Sequence, residues 1–146
     1  VLATLHQACF SPGWTEHDFQ EFLSTPGTAA LTVLAGAEMV DKLEPSKVPA
    51  GFILYRCAAD ECEIITMCIR PQNRRWGAAQ LLLSALEGVL FECGVAAIFL
   101  EVKENNVGAI KLYEKQGFVR IGRRKNYYRE MSGMRDALRY CRILAA

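Results

Sequence analysis

Two short segments of the chain carry residue types that could bind phosphate or move a proton. The first, residues 69–79, contains three arginines followed by small residues at the predicted start of a long helix. The first helical turn leaves backbone N–H groups without internal partners, and the helix dipole adds partial positive charge there. Small residues let a ligand approach, so a phosphate or pyrophosphate could dock. The pattern is neither a P-loop nor a dinucleotide fingerprint, and an ordinary helix start remains an alternative.

The second segment, residues 100–118, places a carboxylate and a tyrosine among apolar residues. Glu101 interrupts an otherwise apolar strand, where an unpaired charge would be costly to bury. It could act as a general base in a cleft, or it could form a salt bridge at the strand end. Tyr113 lies on the next predicted helix and could donate a proton or pack in the core with a solvated hydroxyl. The segment alone leaves these roles open.

Metal chemistry and covalent catalysis have little support in the sequence. Both histidines, His6 and His17, lie near the N-terminus, and the cysteines show no C-x-x-C pair or metal-ligand spacing. The six cysteines are Cys9, Cys57, Cys62, Cys68, Cys93 and Cys141. Most lie in apolar runs and are interpreted as small core residues. We therefore expect no bound metal, no disulfide framework and a reducing compartment, the cytoplasm.

Composition indicates one folded domain spanning residues 1–146. The chain has 146 residues, 51% of them hydrophobic, and a formal net charge of +1. No apolar run is long enough to cross a membrane, no signal-peptide pattern is present, and the near-neutral charge argues against a dedicated nucleic-acid binder. Residues 111–146 are locally cationic, with ten basic and three acidic side chains. Such a cluster forms either a solvated face or a surface for an anionic partner.

The predicted elements place both segments at strand-to-helix junctions. A helix should begin at Thr15, with Asp18 as its capping-box partner and Trp14 and Phe19 as a hydrophobic staple, and end near Thr25. Further helices are predicted at 1–9, 78–93 and 107–115, the last two closed by Gly94 and Gly117. Strands are predicted at 30–34, 51–55, 62–69, 95–102, 118–121 and 138–144, with an exposed loop at 38–49 and a basic connection between the last two strands. This order predicts an α/β fold with a sheet of mixed direction.

Together the two segments resemble the motifs of the GNAT superfamily of N-acetyltransferases. Arg74-x-x-Gly77-x-Ala79 is similar to the R/Q-x-x-G-x-G/A acetyl-CoA motif. Asn106 with Ala109-Ile110-x-Leu112-Tyr113-x-x-x-Gly117-Phe118 is similar to the N-x-x-A-x-x-L-Y-x-x-x-G-F signature. Leu100-Glu101-Val102, Arg124-Lys125-Asn126-Tyr127-Tyr128, Asp136-Ala137 and the stretch Phe10 to Glu16 resemble the ribosomal-protein-alanine N-acetyltransferase (RimI-like) branch.

The resemblance implies the GNAT fold, a mixed central β-sheet flanked by helices that holds acetyl-CoA in a cleft between splayed central strands. The first strand of that fold normally precedes the first helix, so a short N-terminal piece looks missing here. Ala79 replaces a common glycine, and Trp76 is bulky for this loop. The implied acetyl-CoA contacts are Met67, Cys68, Ile69, Arg74, Arg75, Trp76, Gly77, Ala78, Ala79, Gln80 and Asn106.

The implied reaction is transfer of the acetyl group to the N-terminal α-amine of a protein by direct attack in a ternary complex. Glu101 would be the general base and Tyr113 the general acid. Glu63 and Glu104 compete with Glu101, which we rank first because apolar surroundings would disfavour its charged form. Asn126, Tyr127 and Tyr128 would contact the acceptor.

The implied partners are acetyl-CoA and the N-terminal alanine of a small-subunit ribosomal protein. No metal, membrane or direct nucleic-acid contact is expected, and the enzyme would be a monomer or weak dimer. Three alternatives stay open: acetylation of other protein N-termini, acetylation of a small-molecule amine, or a non-catalytic acyl-CoA-binding module.

Overall fold

The structure is a computed structural model of the chain, and it describes residues 2–3, 6, 15–34, 39–40, 49–74 and 77–144. The elements are α1 (Glu16–Ser24), β1 (Thr28–Leu34), β2 (Met39–Val40), β3 (Pro49–Ala58), β4 (Glu61–Ile69), a 3-10 turn (Pro71–Asn73), α2 (Ala78–Glu92), β5 (Ala97–Lys103), α3 (Val107–Lys115), β6 (Val119–Glu130) and β7 (Gly133–Ile143). They build one sheet in the order β2-β1-β3-β4-β5-β7-β6. β4 and β5 pair in parallel and the other neighbours are antiparallel, so the predicted mixed α/β sheet is confirmed.

The capping signal at Thr15 forms as the sequence predicts. The Asp18 backbone N–H donates to the Thr15 hydroxyl oxygen at 3.2 Å, and the Thr15 N–H donates to the Asp18 carboxylate at 2.8 Å. The hydrogen bonds lower the pKa of Asp18 below its usual value. Phe19 then packs edge-on against Phe52 of β3 and fixes α1 on one face of the sheet. Trp14 and most of the predicted helix at 1–9 lie outside the described residues.

α2 supplies most of the helical contribution to the larger core. Its buried residues are Ala78, Leu82, Leu83, Leu86 and Leu90. They recur at spacings of three and four, and they pack on the same sheet face as Ile98 and Leu100 of β5. Full burial of each leucine side chain contributes about 1.5–3 kcal/mol. This packing fixes the start of α2 beside the end of β4.

The sheet opens between its two parallel strands. β4 and β5 pair only through Glu61↔Ala97, Cys62↔Ile98 and Glu63↔Phe99. Beyond Glu63, β4 pairs only with β3, and beyond Phe99, β5 pairs only with β7. In the part of the chain that the structure describes, the facing edges of 64–67 and 100–103 therefore have no strand paired across the opening. Backbone N–H and C=O groups at such edges can pair with an extended ligand.

A β-bulge in β4 lies next to this opening. Tyr55 of β3 faces Ile64 and Leu54 faces Thr66, so β4 has one extra residue there. The bulge shifts the alternation of side chains. As a result, Ile64 before it and Met67 after it both join the core beneath α2 and α3. Bulges bend a strand and re-aim its side chains, and this one coincides with the point where β4 leaves β5.

Gly51 of β3 allows β3 and β4 to approach closely at the end of the opening. A Cβ atom there would lie 2.4 Å from the Cys68 carbonyl oxygen and 3.0 Å from the Ile69 Cα. We expect Gly51→Ala to lower the free energy of unfolding by about 1–3 kcal/mol, as overpacking does, measured by urea denaturation. The matched control is Gly88→Ala in α2, where a Cβ meets nothing within 4 Å. This control should raise stability by about 0.5–1 kcal/mol, and equal effects of the two variants would contradict the steric argument.

The predicted basic connection between the last two strands is wrong. Residues 119–130 and 133–143 form a long antiparallel hairpin with a turn at 131–132. The missing signal has a physical reason, since β6 is an edge strand exposed along most of its length and shows no alternation of apolar residues. Its regularity comes from backbone hydrogen bonds to β7. Within the predicted loop at 38–49, Met39–Val40 also forms a short strand, paired with β1, and Pro49 begins β3.

The cysteines follow the expectation only in part. Cys62 is buried and free, and burial raises the pKa of its thiol far above the usual value. Cys57 and Cys141 are half-buried and free, and Cys93 is exposed. Cys68 is buried, as the interpretation as a core residue predicts, but it is disulfide-bonded, and the sequence predicted no disulfide there.

Candidate active site

A cavity of about 450 Å³ lies at the open end of β4, between the starts of α2 and α3. Nine residues line it: Met67, Cys68, Ile69, Arg74, Ala79, Asn106, Gly108, Ala109 and Leu112. Six of these are residues that the sequence predicted as acetyl-CoA contacts, drawn from three segments separated along the chain. In the structure, the end of β4, the loop that follows it and the start of α3 therefore line one cavity.

The loop between β4 and α2 places a helix N-terminus at this cavity. Arg74 donates through Nε to the Ile69 carbonyl at 3.0 Å, which ties the loop to the strand end. Gly77 is the N-cap of α2 with φ of +85°, a left-handed conformation that favours glycine. Leu81 is the first residue to donate back to Gly77, at 2.9 Å, so the N–H groups of 78–80 have no partner within the helix. An anion can bind there.

The remaining predicted residues of this loop differ in what they can offer. Ala79 lines the cavity, whereas Ala78 is buried in the core and can contribute only its backbone. Gln80 is exposed and does not line the cavity. Arg75 and Trp76 lie outside the described residues.

Asn106 joins the cavity to the start of α3. Its side-chain oxygen accepts a hydrogen bond from the Ala109 N–H at 3.2 Å and caps the helix. The amide NH₂ is therefore the group that Asn106 can offer to a ligand. The motif's spacing was visible in the sequence, but the cap was not assigned. Gly108, Ala109 and Leu112 were not predicted as contacts, although their spacing puts them on one face of α3.

Tyr113 is fixed by the end of α3. The Phe118 N–H donates to the Tyr113 carbonyl at 2.9 Å around Gly117, whose φ is +92°. This C-terminal motif brings the Phe118 ring edge-on to the Tyr113 ring at 5.7 Å. Burial, with a smaller contribution from Tyr128, raises the pKa of Tyr113 to about 12. The phenol is therefore protonated at neutral pH, and it is not among the cavity-lining residues.

Glu101 lies on β5 beyond its last pair with β4, on the sheet face opposite α2 and α3. Its side chain is 13% exposed and sits between two arginines. Arg124 of β6 contacts Oε1, and Arg139 of β7 approaches the same atom at 3.8 Å. The apolar surroundings on which its ranking was based are therefore wrong, and the salt bridge that the sequence left as an alternative is present. Oε2 is buried and has no hydrogen-bond partner among the described residues, so it can accept a proton or an N–H.

The two competing carboxylates have different surroundings. Glu63 lies on the same sheet face as Glu101. Its two carboxylate oxygens accept hydrogen bonds from Nη1 and Nη2 of Arg139 at 3.3 and 3.4 Å. Both oxygens of Glu104 are engaged, because Oε1 accepts from the Asp136 N–H at 3.1 Å and Oε2 from Arg123 at 3.0 Å. Of the three carboxylates, Glu101 keeps a buried oxygen without such a partner in the described structure.

The predicted acceptor residues lie together on β6. Tyr127 is half-exposed, its ring meets Tyr128 edge-on at 5.0 Å, and the Arg124 guanidinium lies 4.6 Å from its ring centroid. Lys103 of β5 lies 5.3 Å from the centroid of Tyr128. Asn126 has φ of +53°, which asparagine tolerates better than most residues. Through Arg124, this aromatic pair is connected to Glu101.

In the part of the chain that the structure describes, every helix is too short or too polar to cross a membrane. The same residues contain no group of three or more histidine, cysteine or acidic side chains that could hold a metal ion.

Comparison with known proteins agrees with this geometry. The model of the acetyltransferase (GNAT) family matches residues 1–118. The chain belongs to the GNAT family. The resemblance of the sequence motifs to this family and the predicted fold are confirmed.

The curated relatives of this GNAT chain include ribosomal protein bS18 alanine N-acetyltransferases. That of Escherichia coli strain K12 is 36% identical over 89 residues, which cover 61% of this chain and 60% of that protein. That of Haemophilus influenzae is 41% identical over 86 residues, covering 59% and 58%. The matched segments thus span about three fifths of these relatives.

A solved structure extends the similarity to nearly the whole chain. The crystal structure of the ribosomal-protein-S18-alanine N-acetyltransferase from Escherichia coli superposes with a TM-score of 0.84 at 26% identity. The superposition covers 99% of this chain and 86% of that one. The resemblance to the ribosomal-protein-alanine branch is therefore supported by both sequence and fold.

Proposed function

We propose that this protein transfers the acetyl group of acetyl-CoA to the N-terminal α-amine of a protein, with the N-terminal alanine of a ribosomal protein as the acceptor. The observation that carries the proposal is the cavity at the splayed strands, where six residues predicted as acetyl-CoA contacts meet. The names of the relatives support the choice of acceptor.

The proposed cosubstrate fits the open groove in three places. The N–H groups at the start of α2 and the Arg74 guanidinium would take the phosphates. The edge of β4 beyond its last pair with β5 would hydrogen-bond the amide groups of the pantetheine as an added strand does. The Asn106 amide would donate to the same chain.

In the proposed mechanism, Glu101 prepares the acceptor. Its Oε2, directly or through water, takes one proton from the α-ammonium, and the neutral nitrogen attacks the thioester carbonyl carbon. The nitrogen then gives up its second proton to solvent, the carbon–sulfur bond breaks, and its electron pair stays on the sulfur. The sequence shows no evident serine or cysteine nucleophile with a neighbouring histidine, which favours this direct transfer over an acyl-enzyme.

Tyr113 would stabilise the departing sulfur. A phenol with its pKa raised to about 12 holds its proton more tightly than a thiol, whose reference pKa is about 8.5. Complete proton transfer to the thiolate would therefore be uphill. We expect the hydroxyl to donate a hydrogen bond while negative charge grows on the sulfur, and solvent to deliver the proton after release.

If the start of α2 binds the phosphates of acetyl-CoA, a negative charge placed there should weaken acetyl-CoA binding. We expect Gly77→Asp to weaken acetyl-CoA binding by about tenfold or more, because the carboxylate would face the phosphates. Asparagine and aspartate are both good N-caps that tolerate positive φ, so Gly77→Asn is a matched control that keeps size and removes charge. Calorimetric titration of both variants measures the difference. Equal affinities for the two would contradict the assignment.

The aromatic pair on β6 predicts a change in acceptor binding alone. We expect Tyr127→Ala and Tyr128→Ala each to raise the KM for an alanine-starting peptide by about tenfold, since each removes a contact surface. The KM for acetyl-CoA should stay within about twofold, because the pair lies on the hairpin and not at the cavity. Steady-state kinetics with each substrate varied in turn provide the measurement. An unchanged peptide KM would assign these tyrosines to bracing the hairpin.

The experiment that tests the acceptor uses two peptides that differ in where a free amine lies. One begins with a free alanine and has no lysine, and the other has an acetylated N-terminus and one internal lysine. An α-amine has a pKa of about 8 and a lysine about 10.4, so the first is neutral far more often at pH 7. Mass spectrometry should show acetylation of the first peptide at a rate at least tenfold higher.

The other candidate functions predict different results in the same assay. Faster acetylation of spermidine or an aminoglycoside than of any α-amino peptide would indicate a small-molecule acceptor. Equal rates for peptides beginning with alanine, serine or methionine would indicate a broader N-terminal acetyltransferase. Binding of acetyl-CoA without release of free thiol in the presence of any acceptor would indicate a non-catalytic binding module. The cytoplasmic location and the monomer or weak dimer remain predictions.

A further inference from the structure

The predicted acceptor residues project from an irregular bulge in the terminal hairpin. Arg124 faces Ala137 and Tyr128 faces Arg135, so residues 125–127 stand opposite Asp136 alone. Two extra residues therefore have no partner on β7, and Asn126 takes a positive φ at the centre of the bulge. Such a bulge has no ladder hydrogen bonds of its own and needs another source of order.

Asp136 supplies that order. Its Oδ1 accepts from the Asn126 N–H at 2.9 Å, and its Oδ2 accepts from Arg123 Nη1 at 2.5 Å. These hydrogen bonds, the one from Asn126 foremost, lower the pKa of Asp136 below its usual value. The carboxylate therefore binds one residue within the bulge, Asn126, and one residue just before it, Arg123.

Glu104 fixes Asp136 in turn. The Glu104 N–H donates to the Asp136 carbonyl at 3.0 Å, and the Asp136 N–H donates to Glu104 Oε1 at 3.1 Å. Arg123 also donates to Glu104 Oε2 at 3.0 Å. The end of β5 and the bulge are therefore joined by one network of two carboxylates and an arginine.

We infer that Asp136 is a positioning residue for the acceptor side of the site, acting through the 125–127 bulge. Arg124, just before the bulge, contacts Glu101, and Tyr127, within it, lies against the Arg124 guanidinium and meets the Tyr128 ring edge-on. Without Asp136, the bulge would be free to rearrange, and the tyrosine pair and Arg124 would lose their fixed positions relative to Glu101. The effect on the reaction rests on the proposed function, but the ordering of the bulge does not.

Two substitutions at Asp136 remove its hydrogen bonds to different extents. Asp136→Ala removes both acceptors, whereas Asp136→Asn keeps an oxygen for the Asn126 N–H and loses the charge that faces Arg123. We expect Asp136→Ala to raise the peptide KM by about tenfold, as loss of a hydrogen-bonded anchor does, and Asp136→Asn to raise it by less. The KM for acetyl-CoA should stay within about twofold, since none of the network residues lines the cavity.

The control and a second readout separate positioning from general stability. Glu87→Gln breaks another half-buried ion pair, 3.1 Å from Arg142, outside the site, and should leave both KM values unchanged. Hydrogen exchange of the Asn126 amide needs no acceptor, and it should accelerate in Asp136→Ala but not in Glu87→Gln. An unchanged Asn126 exchange rate, an unchanged peptide KM in an active enzyme, or an equal rise in both KM values would overturn the inference. If the wild type fails to acetylate the alanine peptide, the proposed function fails, while the exchange experiment still decides the role of Asp136.

Discussion

Replacement of Tyr113 by phenylalanine should lower kcat by about 10²–10³-fold with little change in acetyl-CoA affinity, as loss of a hydrogen-bond donor to a developing negative charge does. The hydroxyl is assigned to the sulfur only while the carbon–sulfur bond breaks, so its loss removes an interaction made in the transition state. The ring, which packs edge-on against Phe118, stays in place in the variant. Steady-state kinetics at saturating substrates, together with calorimetric titration of acetyl-CoA, measure the two quantities.

Tyr140→Phe is the matched control for this prediction. Tyr140 is also a buried core tyrosine, and its hydroxyl donates to Glu114 Oε2 at 3.2 Å. Its loss should cost about 1 kcal/mol of stability and leave kcat unchanged. A Tyr113→Phe variant with wild-type kcat and lowered thermal stability would place Tyr113 in the core alone and remove it from the mechanism.

Replacement of Glu101 by glutamine should also lower kcat by about 10²–10⁴-fold, because an amide cannot take the proton of the α-ammonium. The substitution keeps the shape of the side chain and an oxygen for Arg124. The loss should shrink as pH rises, since more of the α-amine is then neutral without a base. A pH–rate profile of kcat for wild type and variant with the alanine peptide is the measurement.

Glu63→Gln is the comparison that decides between the two carboxylates. Glu63 shares Arg139 with Glu101, so both substitutions disturb the same ion-pair group. We expect Glu63→Gln to lower kcat by no more than a few-fold, because the base is intact. The reverse order, a large loss in Glu63→Gln and a small one in Glu101→Gln, would assign the base to Glu63.

The sequence predicted the elements whose signals are local. The Thr15–Asp18 capping box, the apolar spacing of α2 and the glycines that follow α2 and α3 each depend on residues a few positions apart, and each forms as predicted. The cavity contacts were predicted from the resemblance to GNAT motifs, whose residues lie at the end of β4 and at the starts of α2 and α3. Six of them meet in the structure.

The features that the sequence could not predict depend on contacts between distant segments. Arg124 and Arg139 reach Glu101 from β6 and β7, which lie beside β5 only after the sheet has formed. The β6 edge strand carries charged residues on both faces, so its pairing with β7 left no periodic signal. The role of Asp136 likewise depends on the register of the hairpin, which places it opposite the bulge.

A conjugate of the two proposed substrates tests whether the opening between β4 and β5 holds an N-terminal peptide beside the thioester. Coenzyme A joined through an acetyl linker to the α-nitrogen of an alanine-starting peptide would occupy both sides of the splay at once. Calorimetry should show that this conjugate binds at least about 100-fold more tightly than acetyl-CoA, because one molecule makes both sets of contacts. A matched conjugate joined through a lysine ε-nitrogen should lose most of this gain. If the alanine conjugate binds no more tightly than acetyl-CoA, the opening between β4 and β5 does not hold an N-terminal peptide beside the thioester. That result would contradict the proposed function.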